Sequence, residues 1–365
     1  MCIICRVIKK RLAITVGGAL LAAAISLFGL YGLWDVDGCT LLDIYYPHTA
    51  TITKKLVHVS GSVVGFYDEY NGHFIRKWKC TTGQTIEIEQ SRGASGDQMR
   101  AIVAGKLHPD IITMSNPWEM DTIAQKTGIV TTDWRGAFPH QSSPFYSAVV
   151  FLVRHGNPRN IKDWGDLTTP GLTLLVSNPK TCGGGRWVYE AALGYGLSES
   201  NGDIAMAQKY ASQFYKNVPV LYSDQGVARQ VFVDQKIGDV NVTYESVAMR
   251  VVAWAGTEVD VITPKRTIMI DIPVALAIKN TEQNGTTDIA EAYLNGLYER
   301  EAQDLAAKDS LRPRLQETVA RSPIHFPDID LFTRDYVFGT GNTVETENLK
   351  NGGIFDRSWD KNHSK

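Results

Sequence analysis

A short apolar run, Leu172 to Val176, leads into Ser177-Asn-Pro-Lys-Thr-Cys-Gly-Gly-Gly-Arg186-Trp187, and a helix-compatible stretch from Val188 to Leu197 follows. A strand, a glycine-rich turn and a helix start form one unit of an alternating β/α chain. The same unit makes an anion site without a cation. The first N–H groups of a helix have no intrahelical acceptor and lie at the positive end of its dipole. Glycine lets an oxyanion approach that backbone closely. The pattern alone also suits a connection that binds nothing, so the surrounding sequence has to decide.

The surroundings repeat the alternation. Leu56–Val59 reads as a strand and Val63–Lys79 as a helix with Phe66, Tyr67, Tyr70, Phe74 and Trp78 at helical spacing, a core stripe. Strands at Thr85–Glu89 and Asp110–Met114 alternate with helices at Asp97–Ala104 and Glu119–Lys126. The pattern restarts with strands at Ala148–Val153, Leu172–Val176, Val220–Leu221 and Val240–Thr243, and helices at Ala205–Lys216 and Gly226–Asp234. Strands at Val259–Ile262 and Pro273–Ile278 and helices at Ile289–Leu297 and Glu301–Lys308 complete it. Such alternation predicts two α/β lobes with mostly parallel sheets.

The chain has 37 basic and 39 acidic residues, a net charge of −2, and no basic block, so nucleic acid is not an expected partner. An anion binder so close to neutrality must draw its selectivity from local dipoles. Arg6, Lys9, Lys10 and Arg11 precede an apolar run from Leu12 to Trp34, long enough to span a bilayer with the bulk of the chain outside. Residues 1–34 are therefore an uncleaved anchor, a cleaved signal or, through Cys39, a lipoprotein leader; 35–54 reads as a linker. Cys2 and Cys5 precede that run, and the three cysteines beyond it argue against a dense disulfide framework. The eight histidines form no metal-ligand spacing, so neither metal nor cofactor is expected.

Further motifs are Gln90-Ser-Arg-Gly-Ala-Ser-Gly-Asp-Gln98, Ser143 to Pro158, Ile161-Lys-Asp-Trp-Gly-Asp-Leu167, Asn217-Val-Pro-Val-Leu221, Arg312-Pro-Arg314, Val337-Phe-Gly339 and Gly352-Gly-Ile-Phe-Asp356. In this order and spacing, from about Leu56 to Trp359, the chain closely resembles the sulfate/thiosulfate-binding proteins of ABC importers. The resemblance implies a type 2 periplasmic-binding-protein-like fold with the ligand in the interlobe cleft. Lobe one is expected over 55–137 and 247–320, lobe two over 138–246, and 321–365 is expected to pack back across lobe two. It also implies a periplasmic location, permease subunits as partners and no enzymatic activity.

Family members enclose a dehydrated sulfate with backbone N–H groups, a serine hydroxyl and an indole N–H. Ser95 matches the serine whose hydroxyl donates; a helix N-cap is its alternative role. Gly183 and Gly184 match the paired glycines. Cys182 stands where serine is usual and keeps the backbone N–H; a thiol at a helix start also raises the alternative of a nucleophile or redox sensor. Gln225 replaces the usual alanine and keeps its N–H, while Gly226 stands where an arginine is usual. Tyr244 stands where tryptophan is usual, as a phenol donor or a cleft-wall aromatic. Ser62 is the nearest counterpart of an aspartate whose N–H donates, in a loop one residue shorter. Arg186, like Arg312-Pro313-Arg314, reads as structural. Because these departures cluster at the ligand, other tetrahedral oxyanions or sulfonates remain candidates. A membrane sensor or a Cys182-dependent enzyme are the alternative functions.

Overall fold

The structure, a computed structural model, describes residues 53–339 and 344–364. The expected membrane segment, and the linker up to residue 52, lie outside the described residues. Among the described residues no helix is long and apolar enough to cross a membrane. They fall into a small unit that holds Gly72–Ile86 and a large unit of Lys55–Asn71 and Glu87–Lys365. In the small unit Phe74 stacks on Trp78 at 5.9 Å, and Cys80 is disulfide-bonded.

The large unit holds two sheets. In the first, β1 (Lys54–Ser60) runs parallel to β3 (Ile111–Thr113), with β2 (Ile86–Arg92) at one edge and β10 (Val274–Leu276) antiparallel at the other. Helices α1 (Val64–Thr82), α2 (Ser95–Val103) and α3 (Pro117–Thr127) connect and cover it. The aromatic stripe of α1 is core: Phe66 lies 4.6 Å from Phe145, and Tyr70 lies 4.9 Å from Tyr293. α3 shows why its ends fall where they do. The Asn116 side chain accepts from the Trp118 N–H at 2.9 Å, Pro117 opens the first turn, and Gly128 closes the helix at φ +63°.

The second sheet has the order β12-β9-β4-β7-β5-β6, from Asp330–Phe332, Arg266–Asp271, Phe145–Arg154, Val240–Tyr244, Leu174–Ser177 and Leu221–Tyr222. β8 (Val259–Ile262) and β11 (Arg312–Pro313) also pair with β4. The long apolar run of β4 is buried along nearly its whole length, as a central strand requires. Helices α4 (Gly183–Glu199), α5 (Ile204–Lys216), α6 (Gln225–Val233) and α7 (Glu245–Ala255) follow its strands. The core on one side centres on Phe151, Trp164, Trp187 and Phe214.

Two features differ from the sequence expectation. The second sheet is mixed, because β4 runs antiparallel to β7, β8, β9 and β11, while β5 pairs parallel with β6 and β7. Antiparallel neighbours need no crossover helix, so helix–strand alternation does not reveal them. Strand pairing also divides the chain elsewhere than the expected 246/247 boundary. β8, β9 and β11 lie within 247–320 yet join the second sheet, and the return to the first comes at Ile272-Pro273, between β9 and β10. β9, β11 and β12 were not read as strands; in β9, the longest of them, Ile268 and Ile270 alternate into the core. At the C-terminus, the helix Ile354–His363 lies on α5, with Phe355 5.0 Å from Tyr215 and Asn362 bonded to the Ser212 carbonyl at 2.8 Å.

Candidate functional site

Three helix starts gather at the carboxyl ends of the strands, where ligands bind in open α/β sheets. The first is α2. Ala94 is its N-cap and makes no side-chain cap bond; Ser95 is the first helical residue. Its hydroxyl is buried, donates to Glu119 Oε2 at 2.5 Å and accepts from the Ser115 N–H at 3.0 Å. Ser95 is therefore not a capping residue.

The second start is α4. Cys182 occupies the N-cap position with a free, half-buried thiol, and its N–H donates to the Asn178 carbonyl at 3.0 Å. The N–H groups of Gly183, Gly184 and Gly185 meet no acceptor among the described residues. At the third start, α6, Asp224 caps the helix through the Val227 N–H at 2.9 Å, and the N–H groups of Gln225 and Gly226 are likewise without an acceptor among the described residues. Gln225 is half-buried, and its two amide atoms are buried without a hydrogen bond among the described residues.

Close approaches link these starts. A Cβ on Gly61 would lie 2.6 Å from Ser95 Cα, one on Gly183 would lie 2.0 Å from Ser115 Oγ, and one on Gly184 would lie 2.4 Å from Gln225 Cγ. The Trp187 indole donates to the Ser115 carbonyl at 2.6 Å and ties α4 to the end of β3. Tyr244 ends β7 with its hydroxyl buried and without a hydrogen-bond partner; burial, with the charges of Cys182, Glu119 and Glu190 nearby, pushes its pKa well above the usual value. The structure thus brings Ser95, Gly183, Gly184 and Gln225 into one contiguous surface and sets Cys182 and Tyr244 beside it.

Ser62 lies between β1 and α1, and its N–H meets no acceptor among the described residues. It is half-buried, and its carbonyl accepts from Ser60 Oγ at 2.6 Å. Gly61, one residue earlier, is what stands against Ser95. The next residue, Val63, sits at φ +48°, a strained conformation for a β-branched side chain.

Arg186 is buried with its guanidinium 4.2 Å above the Trp118 ring. Burial lowers its pKa, opposed by the charges of Glu190 and Glu119. It anchors carboxylates beneath the helix start. Sequence reasoning passed over Ser115, Glu119 and Ser177, whose hydroxyl is buried at the end of β5 without a partner. The available signal was positional: Ser115 stands two residues past the fully buried strand Ile111–Thr113 and just before Asn116, the cap of the next helix. A separate cavity of about 210 Å³, lined among others by Arg135, His140, Asp271 and Arg314, contains none of these groups. Its three arginines face carboxylates: Arg135 meets Asp121 at 2.6 Å, Arg314 meets Asp271 at 2.7 Å and Arg334 meets Glu190 at 3.4 Å. Among the described residues no group of three or more His, Cys, Asp or Glu could hold a metal ion.

Helix starts with N–H groups that meet no acceptor among the described residues suit an anion, and the chain belongs to the family of bacterial extracellular solute-binding proteins, which it matches over residues 56–312. It is 39% identical over 292 residues to the sulfate-binding protein of Escherichia coli (strain K12), covering 80% of this chain and 88% of that one. It is 38% identical over 315 residues to the thiosulfate-binding protein of Pseudomonas aeruginosa, covering 86% and 94%. Among solved structures, the sulfate-binding protein SubI from Mycobacterium tuberculosis H37Rv superposes with a TM-score of 0.69 at 28% identity, over 80% of this chain and 98% of that one. The chain is thus a solute-binding protein and not an enzyme.

Proposed function

We propose that the chain is the extracytoplasmic receptor of an ABC importer and binds sulfate or thiosulfate at the junction of α2, α4 and α6. The observation that carries this reading is the set of N–H groups on Gly183, Gly184 and Gln225 that meet no acceptor among the described residues, on helix starts that approach one another closely. Oriented dipoles of this kind hold a dianion without a neutralising side chain. Tyr244 supplies a phenol where indole is usual, and its buried, unpartnered hydroxyl suits a ligand oxygen. Cys182 contributes only after its N–H leaves the Asn178 carbonyl. The names of the relatives supply the ligand class, and a permease is the partner their role requires.

Calorimetry and thermal unfolding against sulfate, thiosulfate, molybdate and phosphate test the reading. Saturating ligand must raise the unfolding temperature; a flat response to all four anions would sink it. The N-terminal run supports retention at the membrane after a carbonate wash, and the intact mass distinguishes the three fates. A start after residue 34 means cleavage, and a lipid on Cys39 means a lipoprotein.

A further inference from the structure

The helix starts of this site present donors. The N–H groups of Ser95 on α2, of Gly183, Gly184 and Gly185 on α4, and of Gln225 on α6 meet no acceptor among the described residues. An N–H has a proton to give and no lone pair to offer. A surface of N–H groups alone therefore suits an oxyanion stripped of protons and leaves the hydroxyl of a protonated one unpaired. The Glu119 carboxylate is held by the Ser95 and Ser115 hydroxyls, both of which donate to its Oε2. Tyr244 has one proton, and that proton serves any oxyanion alike.

Gln225 breaks the pattern. Its backbone N–H belongs to the donor set, but its side chain carries a donor and an acceptor side by side. Nε2 and Oε1 are both buried, and neither is hydrogen-bonded among the described residues. A Cβ on Gly184 would lie 2.9 Å from Gln225 Nε2 and 3.1 Å from its Cδ, so the carboxamide lies across the α4 start, against the glycines whose N–H groups are open. A buried amide with both ends unpaired is costly to keep, and the partner that relieves it must supply an acceptor and a donor together. Sulfate supplies acceptors only. It can pair Nε2, and Oε1 stays bare.

We propose that Gln225 is a specificity-determining residue: its carboxamide gives the site an acceptor for a ligand proton, so that the site takes a tetrahedral dianion that keeps one hydroxyl, the hydrogen phosphate class, alongside sulfate. Nε2 donates to an unprotonated oxygen and Oε1 accepts from the neighbouring hydroxyl. The two bonds close a ring through the central atom and satisfy both ends of the amide. The terminal torsion of glutamine is roughly two-fold, so the amide can meet either order of the two ligand oxygens. The ligand keeps its own proton throughout, and the backbone N–H groups hold the remaining oxygens. This inference rests on the oxyanion reading of the site.

Calorimetry of the full chain at about pH 8, above the second ionisation of a phosphate, compares sulfate and inorganic phosphate at nearly equal charge. Discrimination that leaves buried polar groups unpaired reaches about 10⁴–10⁵-fold, whereas the unmodified chain is expected to bind phosphate within about a hundredfold of sulfate. Monofluorophosphate has the same charge and carries fluorine in place of the hydroxyl. It is expected to bind the unmodified chain at least about tenfold more weakly than phosphate, because it has no proton for Oε1. Gln225→Ala removes the acceptor and keeps the backbone N–H. It is expected to raise the ratio of sulfate to phosphate affinity at least about tenfold, with the melting temperature as the control for folding. A purely structural role for Gln225 would weaken both anions together and leave that ratio unchanged. Three results each overturn the proposal and leave the receptor reading standing: phosphate more than a hundredfold weaker than sulfate, monofluorophosphate bound as tightly as phosphate, or an unchanged ratio in Gln225→Ala. No binding of sulfate, thiosulfate or phosphate overturns both.

Discussion

Glu245 with Arg312, and Glu119 and Glu190 with Arg186 and Arg334, are buried ionic sets built from the same side chains and finished differently. Arg312 meets Glu245 through two bonds, of 2.6 and 2.8 Å, and donates a third at 2.6 Å to the Pro327 carbonyl. In the second set Arg334 Nε stands 3.4 Å from Glu190 Oε1, and neither Glu190 oxygen has a hydrogen bond among the described residues. Charge-assisted bonds are normally about 2.7–2.9 Å long. The first set is closed: nothing could be added without breaking a bond. The second is not closed in this way: both Glu190 oxygens and Arg334 Nε are buried without a hydrogen bond among the described residues.

The comparison is broken most directly by removing one cation from each set. Arg312→Ala strands a fully buried carboxylate, and about 3–5 kcal/mol of stability should be lost in denaturant unfolding. Arg334→Gln should cost less, about 1–2 kcal/mol. Burial already pushes Glu190 up against the pull of Arg334 and Arg186, so a proton can replace the lost partner. The reverse order of costs would mean that the second set is the more firmly held. Gly184→Val turns to the site itself. A Cβ there would lie 2.4 Å from Gln225 Cγ, and the branched side chain would cover the unacceptored N–H groups. Sulfate affinity should fall more than a hundredfold, about 2.7 kcal/mol, with the melting temperature as the control for folding. Normal binding would show that the anion lies elsewhere.

The sequence made the scaffold legible through periodicity and the helix starts through glycine. The strand before Ser177, the turn at Cys182–Gly185 and the helix after it could all be read, because backbone requirements leave a local imprint. β9 was not read. Its partner β4 lies more than a hundred residues away in the chain, and antiparallel pairing leaves no crossover helix as a marker. Glu119 was unreadable for another reason. On α3 it looks like an ordinary acidic residue in a first turn, where the dipole favours it. Only folding brings Ser95, twenty-four positions earlier, within hydrogen-bond distance. Beside Ser62, Gly61 stands close against Ser95, and the left-handed backbone falls on Val63.

Ser95→Ala separates the donor role of the hydroxyl from its role in holding the network. It removes one donor to the ligand and leaves the Ser115 N–H without its acceptor. Affinity should weaken by about 1–3 kcal/mol. Glu119 also loses a bond that favours its charged form. Unchanged affinity would show that the hydroxyl only holds the network.

The smallest effect is expected at Cys182, and it sharpens the distinction between backbone and side chain. Its N–H is held by the Asn178 carbonyl at 3.0 Å, and its thiol is free and makes no side-chain cap bond. Serine in this place would keep the N–H and have nearly the same volume, so the turn and the three glycines after it should not move. Cys182→Ser should change sulfate affinity by less than about tenfold, or ~1.4 kcal/mol. In the unmodified chain, bound anion should slow alkylation of the thiol, because an occupied pocket blocks reagent from the half-buried sulfur. Complete loss of binding in Cys182→Ser would place the sulfur itself against the ligand. The unacceptored N–H groups of Gly183 to Gly185 would then not suffice to hold the anion.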